Sequence, residues 1–276
     1  MITAALATAV LIIGCGYQAE PAEEYVPDSG VLNVMKTPAP VETAQPAATP
    51  EPTPTPEPDF EAGYFQKQYT DPQTGSYLYY WAIVPEGATK NMPMIVYLNG
   101  DGLCNRFEQL VDADIAKMTE EIYGDEFPFI LIMPNNSQPE WYNDGMGALV
   151  KGLIDQAAEE YSADMDKIIL TGHSRGAIAV WQLVNDYGTF FNCAVPVSCG
   201  AQKIYGENFI GVPVRAMVGG WEGDEIYSKE IKSFVSLINQ AGGNAEMIQY
   251  EQFSHGQMST EAYTAETFVW MLSQGE

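Results

Sequence analysis

The chain has 276 residues, 46% hydrophobic and 12% aromatic, enough to bury a core and too many for a wholly disordered protein. Its 37 acidic residues outnumber 12 lysines and arginines, and the net charge of −25 argues against nucleic acid or anionic lipid as partners. The two histidines, His173 and His255, are too few for a multi-histidine metal site.

Residues 2–13 are apolar or small and uncharged. The run is too short to span a hydrocarbon core about 30 Å thick, so it predicts a signal peptide, residues 1–14, rather than a membrane-spanning anchor. The sequence Ile12-Ile13-Gly14-Cys15 resembles the lipobox of bacterial lipoproteins, although the usual basic residues before the apolar run are missing. The resemblance implies acylation of Cys15 and a position on the outer face of the cell membrane, held only by that anchor. An ordinary secretory signal with an incidental cysteine is the alternative.

Residues 15–59 contain ten of the 18 prolines. Proline without apolar periodicity predicts an extended, polyproline-like segment of about 3 Å per residue, suited to a tether. A disordered leader without a spacing role has the same composition. The remainder, residues 60–276, is predicted to form one domain.

Within that domain, short apolar runs alternate with helical patterns. Strands are predicted at 77–84, 94–98, 129–133 (stopped by Pro134), 167–171, 193–198, 212–218 and 247–250. Helices are predicted between Gly102 and Met118 and at 145–161, 177–185, 229–239 and 260–272. Such alternation is typical of an α/β fold with a mostly parallel sheet and helices on both faces.

Three cysteines, Cys104, Cys193 and Cys199, lie in the predicted domain. An odd number leaves at least one thiol unpaired, and no C-x-x-C spacing indicates a metal or redox site. Whether Cys104 forms a disulfide stays open.

The sequence Gly172-His173-Ser174-Arg175-Gly176 matches the G-x-S-x-G nucleophile elbow. It follows an apolar strand pattern and precedes a helical one, which is the context that the motif requires. A tight strand-to-helix turn would raise the Ser174 hydroxyl above the sheet, and the backbone N–H of Arg175 would point at a developing oxyanion.

With this motif in place, residues 64–272 resemble the α/β-hydrolase family. The resemblance is greatest to compact exported esterases related to feruloyl esterases and polyhydroxyalkanoate depolymerases. The resemblance implies a fold without a large cap domain and a catalytic order of serine, acid and histidine.

His255 is the predicted base for Ser174. A serine nucleophile needs an imidazole, and the only other one, His173, is expected to project away from its neighbour Ser174. His255 also follows the last predicted strand, where the family carries its histidine.

The acid should follow the predicted strand 212–218. The next stretch offers three carboxylates, Glu222, Asp224 and Glu225. Asp224 is preferred because a short side chain behind a glycine suits a tight loop, and Glu222 is the next candidate. In the family, two residues usually separate a glycine from the aspartate, whereas three residues separate Gly220 from Asp224 here.

The resemblance places the second oxyanion donor after strand 94–98. Many relatives carry His-Gly there, whereas this chain has Asn99-Gly100-Asp101-Gly102. The donor is a backbone N–H, predicted to be that of Asp101, with Gly102 as the alternative. An acidic side chain at this place is favourable only if it points away from the oxyanion.

Three aromatic residues, Trp141, Tyr142 and Trp221, lie in loops that follow strands. Ligands bind at this edge of open α/β sheets, so these residues are candidates to line the substrate cleft. Packing beneath the loops is the alternative for each of them.

Together these features predict an exported, lipid-anchored serine hydrolase that cleaves a small-molecule or polysaccharide-linked carboxylic ester without a metal or organic cofactor. A peptidase of the same fold, or a ligand-binding lipoprotein that has lost catalysis, is the alternative.

Overall fold

The computed structural model describes residues 59–136, 141, 145–201, 203–221 and 225–275. The predicted signal peptide, Cys15, nearly all of the proline-rich segment and three candidate site residues, Tyr142, Glu222 and Asp224, lie outside this part. In the described part, none of the helices has the length and apolar character needed to cross a membrane.

The described residues contain one eight-stranded sheet in the order β1-β2-β4-β3-β5-β6-β7-β8. The strands are β1 Gly63–Thr70, β2 Tyr77–Val84, β3 Met94–Leu98, β4 Ile130–Asn135, β5 Ile168–His173, β6 Cys193–Val197, β7 Val214–Gly219 and β8 Ala245–Tyr250. β2 is antiparallel to both β1 and β4, and every other neighbouring pair is parallel. The predicted mostly parallel sheet is therefore confirmed.

The described residues contain seven α-helices: α1 Phe107–Leu110, α2 Asp114–Tyr123, α3 Met146–Glu160, α4 Arg175–Tyr187, α5 Glu225–Gln240, α6 Met258–Glu261 and α7 Ala265–Leu272. Residues three and four apart on α4, such as Ala177, Val180, Trp181 and Val184, are buried, which is the apolar stripe of an amphipathic helix.

The sheet separates two hydrophobic clusters. One contains buried residues of α3, α4 and α5, and the other contains buried residues of α2, α6 and α7. Strands β3 and β4 are buried along their whole length, as expected for strands covered on both faces.

Several predicted elements were wrong in detail. The edge strand β1 was missed because its residues alternate between exposed and half-buried rather than forming an apolar run. Pro134 does not stop β4: the pairing of β4 with β3 ends at Ile132, but its antiparallel pairing with β2 continues through Pro134 to Asn135. The helix predicted up to Met118 is instead a short 3₁₀ helix, Asp101–Leu103, followed by α1 and α2. The helix predicted at 260–272 is two helices, α6 and α7, separated by residues 262–264.

Within the described part, Cys104, Cys193 and Cys199 form no disulfide with one another. Cys193 and Cys199 are buried, and burial raises the pKa of the Cys193 thiol to about 12. A thiol with that pKa stays protonated at neutral pH, so Cys193 is a packing residue rather than a nucleophile.

Candidate active site

A cleft of about 420 Å³ opens at the carboxyl edge of the sheet. Four separate segments meet there: the loop after β3, residues 112–114 at the start of α2, the turn between β5 and α4, and the segment after β8. They bring Gly100, Asp101, His173, Ser174 and His255 together around the cleft. This edge is where open α/β sheets bind ligands, because the strand-to-helix loops converge there.

Ser174 is the single residue between β5 and α4. Its backbone has φ 57° and ψ −119°, a conformation that non-glycine residues rarely adopt. The Ser174 N–H donates to the Val197 carbonyl oxygen at 2.9 Å, which ties the turn to β6. The strained turn is therefore held by its neighbours, as a nucleophile elbow requires.

The two glycines of the motif are required by close packing. A Cβ built on Gly172 would lie 2.8 Å from the carbonyl oxygen of Leu98, at the end of β3. A Cβ on Gly176 would clash with the same oxygen. Side chains at these two positions would push the turn away from the sheet, so the elbow depends on both glycines.

Ser174 and His255 are within hydrogen-bonding distance. His255 Nε2 lies 2.9 Å from Ser174 Oγ, although the two residues are 81 positions apart in the chain. When His255 carries its proton on Nδ1, the Ser174 hydroxyl donates to Nε2, which is the arrangement that activates a serine.

The described residues on either side of the two acid candidates contact the segment of His255. On the N-terminal side, the Gly220 N–H donates to the Tyr250 carbonyl oxygen at 2.9 Å, in the segment that leads to His255. On the C-terminal side, the ring of Tyr227 lies 5.5 Å from the imidazole of His255. Glu222 and Asp224, between these anchors, are outside the described residues, so the choice between them stays a prediction.

His173 does not project away from the site, as the strand pattern had suggested. Its Nε2 donates to the backbone carbonyl oxygen of His255 at 2.8 Å, and the two imidazole rings are 5.0 Å apart. His173 therefore supports the loop that holds the predicted base. Sequence reasoning missed this role because the contact joins residues that are 82 positions apart.

The protonation of His173 gives a testable pH dependence. Burial lowers the pKa of His173 from 6.5 to about 4, so the folded protein keeps this ring neutral at pH values where the unfolded chain protonates it. Stability from this residue is present above pH 6.5 and is lost as the pH falls toward 4. At pH 5 the loss should be at most about 2 kcal/mol, since one pKa unit corresponds to about 1.4 kcal/mol.

Urea unfolding of the wild type and of His173→Gln at pH 7.5 and pH 5 measures this loss. The chain's many carboxylates change stability with pH in both proteins, so the informative quantity is the difference between the two pH slopes. The wild type should lose more stability than the variant on acidification. Equal slopes would show that folding does not lower the pKa of His173.

The two predicted oxyanion donors each begin a helix. Asp101 is the first residue of the 3₁₀ helix, and Arg175 is the first residue of α4. An N–H at such a position has no acceptor inside its own helix and lies at the positive end of the helix dipole. A Cβ on Gly100 would be 3.1 Å from Ser174 Cβ, so the loop that carries Asp101 passes directly against Ser174.

The side chains of these two residues are paired. Arg175 Nε lies 2.7 Å from Asp101 Oδ2. The guanidinium of Arg175 offsets the negative charge of Asp101. It thereby reduces the repulsion between this carboxylate and an oxyanion formed nearby. It also links the two segments that carry the predicted donors.

Trp141 does not line the cleft, contrary to its prediction as a substrate-contacting residue. It is 2% exposed, and its Nε1 donates to the Asn99 carbonyl oxygen at 2.8 Å. Asn99 is itself buried, and its Nδ2 lies 3.1 Å from Asn136 Oδ1. Trp141, Asn99 and Asn136 therefore brace the loop before Gly100.

The other two predicted cleft residues differ from Trp141. Trp221 is 61% exposed at the loop after β7, so its predicted substrate contact stays open. Tyr142 lies outside the described residues. Asn99 and Asn136 were not recognised from sequence as site residues, because an asparagine at the end of a strand is as common in an ordinary turn.

No family model matches this sequence, and no curated protein is similar to it. Solved structures do share its fold. A thermostable esterase is 19% identical with a TM-score of 0.65, over 76% of this chain, which spans 63% of that esterase's length.

Two further structures match over most of their own length. A mutant feruloyl esterase module from Clostridium thermocellum, solved with sinapinate, is 13% identical with a TM-score of 0.61, over 81% of this chain and 92% of its own. S-formylglutathione hydrolase from Staphylococcus aureus is 17% identical with a TM-score of 0.59, over 76% and 96%. At these identities the likeness shows the fold, which is the α/β-hydrolase fold without a large cap in the described part.

Proposed function

We propose that this chain is an exported serine hydrolase that cleaves carboxylic esters through an acyl-enzyme at Ser174. The observation that carries the proposal is the 2.9 Å separation of Ser174 Oγ and His255 Nε2 in an open cleft, with the serine on a positive-φ turn. A serine hydroxyl is a weak nucleophile unless an adjacent base accepts its proton. A binding protein has no need for this strained turn or for the base beside it.

The proposed reaction has two steps. Ser174 Oγ attacks the ester carbonyl while its proton moves to His255 Nε2, and backbone N–H groups of Arg175 and Asp101 stabilise the oxyanion. The protonated His255 then donates to the departing alkoxide as the carbon–oxygen bond breaks. In the second step His255 takes a proton from water, the hydroxide attacks the acyl-enzyme, and Ser174 Oγ leaves with the returned proton.

Asp224 is the proposed acid, with Glu222 as the alternative. An acceptor at Nδ1 holds the imidazole in the tautomer whose Nε2 accepts the serine proton, and it stabilises the imidazolium. In the sequence, both carboxylates lie between Gly220, whose N–H donates to the Tyr250 carbonyl oxygen, and Tyr227 of α5, whose ring lies 5.5 Å from that of His255. This position in the sequence supports an acid from residues 222–224.

Two of the structures that share the fold are named as esterases and one as an S-formylglutathione hydrolase, and these names support an ester substrate. An acylaminoacyl peptidase from Pyrococcus horikoshii shares the fold as well, so an amide substrate is the alternative. A peptidase would use the same serine and histidine and would differ chiefly in the leaving group. Ester against amide turnover is therefore the measurement that separates these two possibilities.

Labelling with a fluorophosphonate probe tests the proposal. The probe phosphonylates only an activated serine, so the full chain should be labelled at Ser174, and a ligand-binding protein without catalysis should not. A panel of p-nitrophenyl esters, feruloyl esters and peptide anilides then defines the substrate. Turnover of the anilides at rates equal to the esters would favour a peptidase, and absence of labelling would refute the hydrolase.

Anchoring through Cys15 is a separate part of the proposal. The chain expressed in a bacterial host should partition into the detergent phase, and Cys15→Ser should release it or block its processing. One acyl chain gives only marginal attachment, so mass spectrometry should find two or more chains on the N-terminal cysteine. A soluble mature protein whose N-terminus is not Cys15 would contradict the lipoprotein assignment.

A further inference from the structure

A second groove, of about 940 Å³, lies along the β1–β2 hairpin. Tyr77 and Tyr79 lie two residues apart on β2, on the same face, and are 56% and 46% exposed. Their rings are 5.4 Å apart, and Tyr79 is 5.6 Å from Phe107. Phe107 stacks on the buried Trp81 at 5.5 Å, so the row of rings is fixed at its base.

Uncharged amide side chains flank these rings. Gln68 on β1 and Asn135 on β4 are the cross-strand partners of Tyr79, and Gln66 is that of Trp81. Primary amides donate and accept hydrogen bonds without carrying charge. The nearby ammonium of Lys67 pairs with Glu160, so it does not give the groove an unpaired positive charge.

The groove lies next to the candidate active site. Leu103 lines the catalytic cleft, and Asn105, two residues later, lines the groove. Asn135 Nδ2 donates to the Leu103 carbonyl oxygen at 2.8 Å, and the Asn105 N–H donates to the Asn136 carbonyl oxygen at 2.9 Å. One short, well-bonded segment therefore forms the wall between the two.

We propose that this tyrosine groove, formed by Tyr77, Tyr79, Phe107, Gln68, Asn105 and Asn135, binds a neutral polysaccharide chain. The ester cleaved at Ser174 is then a substituent on that chain, an inference that rests on the proposed hydrolase function. A pyranose ring presents apolar C–H groups on its faces and hydroxyls around its rim. Exposed aromatic rings pack against the faces, and the amides bond the hydroxyls.

The charge distribution selects a neutral polymer. An acidic polysaccharide or a nucleic acid requires clustered lysine and arginine. The charged residues that line the groove are Lys67, which pairs with Glu160, and Glu108, which accepts a hydrogen bond from Gln66, and the whole chain has a net charge of −25. The volume is also within the usual range for ligand sites, about 300–1,000 Å³.

Binding is tested apart from catalysis in the full-length Ser174→Ala background. Native gels containing arabinoxylan, glucomannan, mixed-linkage β-glucan or polygalacturonate serve as probes. At least one neutral polymer should retard the protein and polygalacturonate should not. Adding Tyr77→Ala and Tyr79→Ala should weaken that binding about tenfold or more, because the aromatic floor is lost. Tyr64→Ala is the matched control, since Tyr64 is 50% exposed on the same hairpin but outside the groove.

Catalysis provides the second measurement. In the otherwise native enzyme, Tyr77→Ala with Tyr79→Ala should raise KM for a polysaccharide-linked ester about tenfold or more and leave p-nitrophenyl acetate hydrolysis unchanged. If no ester is cleaved but the gels still show tyrosine-dependent binding, the hydrolase proposal fails and the groove stands.

Two results would overturn the groove assignment. One is that no neutral polysaccharide retards the protein, or that the double tyrosine variant binds as tightly as its parent. The other is faster cleavage of residues 16–58 by a glutamate-specific protease in the double variant. That result would show that the chain's own proline-rich segment occupies the groove, because such segments also bind aromatic surfaces.

Discussion

Ser174→Ala is expected to lower kcat for ester hydrolysis by about 10⁶-fold while the protein still folds. Loss of the nucleophile removes the covalent step entirely, and residual catalysis comes only from the oxyanion site and substrate binding. The substitution removes one oxygen atom from a half-buried side chain, so the turn and its bond from the Ser174 N–H to Val197 should remain. Fluorophosphonate labelling should disappear together with turnover.

The matched control is Ser236→Ala, which changes an exposed serine of α5 far along the chain from the elbow. This variant should keep wild-type kcat, labelling and melting temperature. Steady-state kinetics on p-nitrophenyl acetate and thermal unfolding are the measurements. If Ser174→Ala retains activity within tenfold of the wild type, the chain is not a serine hydrolase that uses this residue.

Asp224→Asn is expected to lower kcat by up to about 10⁴-fold, because an amide at this position favours the wrong imidazole tautomer. Glu222→Gln should lower kcat less than tenfold. Glu222 and Asp224 are two positions apart in the chain, so each variant is the control for general damage to this segment in the other. Thermal unfolding must show matched stability before the two kcat values are compared.

The pH profile distinguishes an acid that acts on His255 from one that only holds the loop. Loss of the true acid should change the pH dependence of kcat/KM as well as its size, because the protonation of the base is altered. A purely structural loss would lower activity equally at every pH. If Glu222→Gln is the crippled variant and Asp224→Asn is nearly normal, Glu222 is the acid and the loop alignment is off by two residues.

Local sequence patterns predicted the parts of the structure that depend on residues close together in the chain. Strands β2 and β3 match their predicted limits because each is a continuous apolar run bounded by turn-forming residues. The elbow was predicted from five residues because its strained turn makes local demands, small residues on both sides of Ser174 and a helix directly after it. The Gly172 and Gly176 contacts with Leu98 supply the physical reason for those demands.

Contacts between distant residues could be decided only by the tertiary structure. His173 and Trp141 gave the same local signal as ordinary strand and loop residues, yet one bonds the His255 carbonyl and the other bonds the Asn99 carbonyl. The pairing of Asp101 with Arg175 and the exposed row of Tyr77 and Tyr79 likewise depend on which loops and strands become neighbours. Sequence periodicity indicates which face of a helix or strand is buried, but not which other elements pack against that face. Those packing partners are set by the order of the strands in the sheet and by the loops that converge at its carboxyl edge.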